Sequence, residues 1–128
     1  MYGLTTDAFK GERISKVEVS EDKEDIVFTL MSGKTLTYYV DGDCCSHSWI
    51  EHLTVPSNIE GASVLWAKSH DMPEPSAEDQ SHHDLLQAYG IAFTTERGEI
   101  IVEFRNSSNG YYGGWMYGPI EAWAKEIK

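Results

Sequence analysis

The 128-residue chain is poor in the residues that usually announce a function. It has two cysteines, and they are adjacent (Cys44-Cys45), so they cannot staple distant parts of the chain and no disulfide framework is expected. It has three arginines, Arg13, Arg97 and Arg105, and ten lysines and arginines against 21 aspartates and glutamates, a formal charge of −11. So acidic a surface repels a phosphate backbone, which argues against a nucleic acid polymer as partner. One phosphate-bearing small ligand remains compatible, because a local cation or a set of backbone amides can outweigh the global field. No apolar run approaches the ~18 residues of a membrane-spanning helix. The first residues lack the basic-then-apolar pattern of a signal peptide. Phosphate-loop and dinucleotide fingerprints are missing too: Gly110, Gly113 and Gly114 have the wrong spacing and follow no βαβ unit. Together these absences point to a soluble cytoplasmic protein with no membrane association.

What is present is strand pattern. The length suits one domain, residues 1–128, with enough chain to bury a real core. Thr6 to Lys10 reads as one helical turn. Arg13–Ser20 alternates imperfectly and suggests a strand with a bulge near Ser15. Asp25–Leu30 and Thr35–Val40 follow as strands, separated by short charged or glycine-containing turns, which is the pattern of an antiparallel meander. Ser46 or Ser48 can cap a short helix whose apolar stripe is Trp49, Ile50 and Leu53. Ala62–Lys68 suggests a fourth strand. Residues 70–83 are polar, acidic and hold two prolines, and read as a mobile loop. Leu85–Thr95 and Glu99–Arg105 form a hairpin around Glu96-Arg97-Gly98, and Trp115–Gly118 suggests a last strand. Pro119–Lys128 starts with proline and spaces Ile120, Trp123, Ala124 and Ile127 as a helix would. The expected fold is therefore α+β: an antiparallel sheet of about five to seven strands with one or two short helices.

Chemistry concentrates in two places. Arg105 to Trp115 combines Asn106, Asn109, Tyr111, Tyr112 and three glycines. Asn109-Gly110 alone suffices for a tight turn. The surplus of flat faces, amides and a guanidinium suits a planar polar ligand, and the same residues also fit a glycine-rich turn followed by core aromatics. Phe93 and Phe104 are open to either role. The second cluster is Asp41, Asp43, Cys44, Cys45, His47 and His52. Adjacent thiols rarely serve one tetrahedral ion, and His47 and His52 do not stack on a helix face, so neither a structural zinc nor another bound metal is expected. A thiol nucleophile here lacks an oxyanion motif, so no catalytic residue is assigned.

Two motifs carry a resemblance. Gly42-Asp43-Cys44-Cys45-Ser46 after a meander, and Asn109-Gly110-Tyr111-Tyr112-Gly113-Gly114 near the C-terminus, resemble a family of small phage and prophage proteins over roughly Arg13 to Tyr117. That family looks to include the first type of Thoeris anti-defence protein, a sponge that binds cyclic ADP-ribose isomers made by bacterial TIR-domain enzymes without cleaving them. Some of its members form oligomers and also bind cyclic oligonucleotides. The resemblance implies a non-enzymatic, phage-encoded binder of a nucleotide-derived immune signal. It implies a homo-oligomer in the cytoplasm of an infected bacterial host, with no cofactor. The residues expected at the site are Phe93, Arg105, Asn106, Asn109, Tyr111, Tyr112 and Trp115. The shortage of arginine sits uneasily with a pyrophosphate ligand. Two other readings stay open: a phage protein that inhibits a host protein by direct contact, and a thiol or metal enzyme around Cys44, Cys45 and His47.

Overall fold

Strict in–out alternation explains most of the architecture. The computed structural model describes residues 4–42, 47–70, 72, 85–108 and 114–123. A 3-10 turn over Asp7–Phe9 precedes eight strands: β1 (Ile14–Val19), β2 (Asp25–Leu30), β3 (Lys34–Gly42), β4 (His47–Thr54), β5 (Val64–Ser69), β6 (Leu85–Thr95), β7 (Gly98–Ser108) and β8 (Gly114–Trp123). They form two antiparallel four-stranded sheets, ordered β1-β2-β3-β8 and β4-β7-β6-β5. β2 turns Ile26, Phe28 and Leu30 inward, and β3 turns Leu36, Tyr38 and Val40 inward. From the second sheet, Ile91, Phe93, Ile100, Val102 and Phe104 meet them in one hydrophobic core. Phe9 closes one side, edge-on to Phe28 at 4.9 Å between ring centroids. The β1–β3 meander and the bulge at Ser15 are as the sequence reads: Ile14 pairs with Leu30, and Lys16 with Thr29, leaving Ser15 over.

Two expected helices are not helices, which shifts the fold from α+β to almost entirely antiparallel β. Residues 48–53 lie within β4. Trp49 faces out and Ile50 in, then the register slips between Ile50 and His52, and Leu53 faces in again. One extra residue, Glu51, puts two inward positions three apart, which copies the helical spacing of Ile50 and Leu53. Pro119–Trp123 belongs to β8, paired along β3 through Leu36–Glu121 and Lys34–Trp123, with a further slip between Thr37 and Tyr39. A free edge on β3 offers backbone hydrogen bonds that a short, isolated helix cannot match. Residues 124–128 lie outside the described residues, as do 71 and 73–83 of the acidic loop.

No helix of the described residues is long and apolar enough to cross a membrane. The connection before β5 is tied down by Arg97 at the β6–β7 hairpin, whose Nη1 donates to the Asn58 carbonyl at 3.2 Å and also to that of Glu60.

Candidate functional site

Strand pairing brings the described residues that flank the two motifs to one end of the molecule. Gly42, the last residue of β3, pairs with Gly114, the first of β8. His47, the first of β4, pairs with Ser107 near the end of β7, and Leu85, the first of β6, pairs with Ser108. Residues 43–46 and 109–113 therefore leave from and return to neighbouring anchors, although they stand some 65 positions apart in the chain. Asn109, Tyr111 and Tyr112 themselves lie outside the described residues. The backbone of Trp115 is described, opposite Asp41 in β8, and its side chain is not.

Within this end, parity along β7 sorts the expected site residues. Asn106 points inward and is fully buried, with Ser48 Oγ donating to its Oδ1 at 2.8 Å. Arg105 points outward. Phe93 is wholly inside the core, its ring 5.0 Å from Phe28 and 5.1 Å from Tyr38. Phe93 and Asn106 are thus packing residues, unreachable by a ligand while the two sheets stay together, whereas Arg105 sits where a ligand could meet it.

Arg105 is electrostatically under-served. Its side chain is 17% exposed, and its Nη2 lies 3.8 Å from a Glu103 carboxylate oxygen, a loose ion pair. Its Nη1 is buried and, among the described residues, makes no hydrogen bond. A buried guanidinium nitrogen without an acceptor is costly, so an acceptor is the missing element. Cross-strand neighbours frame it: Trp49 of β4 on one side and Ala88 of β6 on the other. Trp49 stacks on His47 at 5.4 Å with rings 24° apart. Sequence reasoning placed Trp49 in a helix stripe and so missed it. The signal that could have found it is the polar Ser48 and the charged Glu51 interrupting that stripe.

Next to Ala88, a cavity of about 240 Å³ is lined by Ser69, His70, Met72, Tyr89 and Phe104 among others. Beside it the chain runs on past β5 along β6, so that His70 follows the Ser69–Ile91 pair and faces Gly90. His70 N donates to the Gly90 carbonyl at 2.8 Å, and a Cβ on Gly90 would stand 2.7 Å from His70 O. Only glycine permits that approach.

The first sheet presents a different surface. On its outer face a groove of about 340 Å³ is lined by Asp22, Glu24, Asp25 and Asp41 together with Tyr39 and Ile120. Tyr39 stacks on Tyr117 at 5.5 Å. Burial, then the neighbouring Asp22 charge, raises the Asp25 carboxyl above its ordinary range. Asp22 is lowered, chiefly because Ser20 Oγ donates to it at 2.6 Å. An anionic ligand is repelled here.

The Asp25 shift has a measurable consequence. A carboxyl raised in the folded state binds its proton more tightly there than in the unfolded chain. It opposes folding when ionised, and that cost disappears as pH falls through the raised value. Asp25→Asn is therefore expected to melt higher than the parent at neutral pH, with the difference vanishing on acidification below the ordinary carboxylate range. Thermal melts across that pH range check it; a gain that persists in acid contradicts the assignment.

Among the described residues no group of three or more histidine, cysteine, aspartate or glutamate side chains is placed to hold a metal ion. Cys44 and Cys45 lie outside those residues.

A family model for a domain of unknown function, DUF7448, matches residues 7–117. The chain belongs to this family. The matched span runs from the 3-10 turn into β8 and so includes both motifs and their paired anchors. A viral relative is similar: the uncharacterized protein L278 of Acanthamoeba polyphaga mimivirus, 30% identical over 110 residues, covering 81% of this chain and 84% of that protein. No solved structure matches.

Proposed function

We propose that this protein is a non-enzymatic binder that sequesters a small, anionic, nucleotide-derived signal at the end of the sandwich that carries Arg105. The observation that carries the reading is the buried Arg105 Nη1, which has no acceptor among the described residues, beside an aromatic platform of Trp49 and His47. A phosphate oxygen completes a guanidinium, and a purine or nicotinamide-like ring stacks on an indole. The neighbouring anchors of the 43–46 and 109–113 segments support it, since Gly42 pairs with Gly114 and His47 with Ser107 at this end. The resemblance further suggests a cyclic ADP-ribose isomer as the signal and, as a second ligand class, cyclic oligonucleotides, with Asn109, Tyr111, Tyr112 and Trp115 contributing contacts. The viral relative fits a virus-encoded factor, here acting against host immunity in the cytoplasm of an infected bacterium.

Native mass spectrometry of the purified chain, alone and with cyclic ADP-ribose isomers and cyclic di- and trinucleotides, tests the reading. The expected result is an adduct of fixed stoichiometry whose ligand is recovered unchanged after heating. Recovery of an altered ligand sinks it. Arg105→Met sharpens the test. Removing an unsatisfied buried donor leaves stability equal or higher. Loss of a charge-assisted hydrogen bond weakens binding by about 10- to 100-fold. A variant that loses stability and keeps its affinity assigns Arg105 to the scaffold instead.

A second reading, inhibition of a host protein by direct contact, draws on the four carboxylates of the first-sheet groove, which suit a basic partner surface. Salt-sensitive capture of a host protein, with no small-molecule adduct, would favour it.

A further inference from the structure

β6 outruns its neighbour. The last pair of β5 is Ser69 with Ile91, whereas β6 begins at Leu85. Residues 85–90 therefore have β7 on one side and, among the described residues, no strand on the other. In an antiparallel strand the backbone groups of alternate residues point to the same side. His70 N donates to the Gly90 carbonyl at 2.8 Å, so Gly90 points to this open edge, and Ala88 with it. Leu86, next on the same edge, already has a partner. Among the described residues nothing on that edge pairs with the Ala88 N–H or C=O. Strand addition by a peptide uses a run of such residues, and here only one donor–acceptor pair is open. One planar group with an acceptor beside a donor is enough to satisfy it.

Room for that group lies at the same place. The cavity of about 240 Å³ includes Ala88 in its lining, with Ser69, His70, Met72 and Tyr89 around it. Its walls suit a thin ring. On the inward side of β6, Tyr89 stacks on Phe104 at 5.1 Å with rings 17° apart. The Tyr89 hydroxyl donates to Gln87 Oε1 at 3.0 Å, so the wall offers a face and not a donor. On the outward side, Met72 covers Gly90: a Cβ there would stand 2.9 Å from Met72 Cγ and 3.0 Å from its Sδ. A phenol and a thioether both pack well on an aromatic ring. Ala88 is also the cross-strand neighbour of Arg105, and directly opposed residues share a face. Its methyl group leaves the way from the edge to the guanidinium open, across one strand spacing of ~4.8 Å.

We infer that this cavity is a base subsite beside Arg105. The Ala88 N–H donates to a ring nitrogen of a nucleobase-type heteroaromatic ring. The Ala88 carbonyl accepts from the adjacent amino group, and the ring lies between Met72 and Tyr89. Adenine presents that pair, a ring nitrogen next to an exocyclic amine. A phosphate on the same molecule reaches Arg105 across Ala88. The inference rests on the proposed ligand reading for the place of the phosphate and not for the place of the ring.

Titration calorimetry of the full chain with AMP, ribose 5-phosphate, adenosine and N6,N6-dimethyl-AMP tests it. AMP is expected to bind about 10-fold more tightly than ribose 5-phosphate, and dimethylation of the amine should remove that gain. Ser69 is exposed at the rim of the cavity. Ser69→Phe should fill it, weaken AMP by about 10-fold, and leave ribose 5-phosphate binding and the melting temperature as in the parent. Equal affinities for AMP and ribose 5-phosphate, both weakened by Arg105→Met, overturn the base subsite and leave the ligand reading standing. Adenosine binding that Ser69→Phe abolishes, with no gain from a phosphate, supports the subsite and removes Arg105 from the reading. Dimethyl-AMP that binds as AMP does, a Ser69→Phe variant that keeps its AMP affinity, or no binding of any of the four overturns the inference.

Discussion

Phe93→Ala is expected to destabilise the protein by about 3–5 kcal/mol, because it empties a place in the core where rings from the two sheets meet. Phe93 comes from β6 in the second sheet. Its neighbours at 5.0 and 5.1 Å, Phe28 and Tyr38, come from β2 and β3 in the first, and Phe9 approaches from the 3-10 turn at 6.3 Å. These rings meet edge to face, an arrangement worth about 0.5–1.5 kcal/mol per pair beyond burial. Removing Phe93 leaves the three remaining rings around a void that a β-sandwich closes only by moving a whole sheet. At about 4 °C per kcal/mol, the melting temperature should fall by about 12–20 °C. Phe93→Leu keeps most of the volume and should cost less than half as much. It also separates two roles for this residue. If Phe93 is core, as its complete burial requires, the leucine variant melts lower and binds ligand as the parent does. If Phe93 were a ligand contact, that variant would keep its melting temperature and lose affinity. Melting curves beside a titration decide between them.

Gly118→Ala should be comparably damaging, for a different reason. Gly118 sits where β8 carries an extra residue against β3, with φ +136°. A Cβ there would lie 2.9 Å from the Thr37 carbonyl oxygen and from Tyr38 Cδ2, and 3.0 Å from Tyr38 Cα. Two of those three atoms are backbone of β3, an inner strand of the first sheet, so the clash cannot be relieved by turning a side chain. Gly118 is also held from the other side: Thr5 N donates to its carbonyl at 3.1 Å, and Leu4 bridges to it. Backbone strain of about 1–3 kcal/mol adds to overpacking of about the same size. Gly33→Ala is the control. Gly33 also has positive φ, +93°, but nothing lies within 4 Å of a Cβ built on it. It should show only the conformational part of the cost. The difference between the two alanine variants in chemical denaturation then measures the contact with β3. Equal losses would mean that β8 shifts freely and does not hold the first sheet together at this point.

Much of the fold is legible in the chain. Asp25–Leu30 alternates without a break, and its strand matches those bounds. Leu85–Thr95 combines β-forming residues with the Glu96-Arg97-Gly98 turn, and the hairpin follows, with Gly98 at φ +122°. Local periodicity and turn chemistry decide these elements, because their core residues Ile26, Phe28, Leu30, Ile91 and Phe93 recur at every second position. Where a strand carries one residue too many, periodicity misleads. Ile50 and Leu53 sit three apart on one face of β4 only because of the bulge at Glu51, and the same slip disguises β8 after Gly118. Whether such a segment becomes a short helix or a bulged strand depends on a neighbouring strand with backbone groups to satisfy, and that neighbour is far away in the chain.

The candidate site divides along the same line. From residue types alone, the chain identifies Arg105 as one of three arginines and marks the Arg105–Trp115 stretch as rich in groups that bind planar polar ligands. Parity cannot be settled that way: a one-residue change of register would send Asn106 outward and Arg105 into the core. Tertiary structure makes that choice, because burying Asn106 against Ser48 gives its amide oxygen a donor, whereas burying the guanidinium between the sheets would strand a charge. Tertiary structure also brings together the residues that flank the two motifs, through the pairing of Gly42 with Gly114 and His47 with Ser107. Long-range backbone hydrogen bonding sets those neighbours, and no local pattern in the chain encodes them.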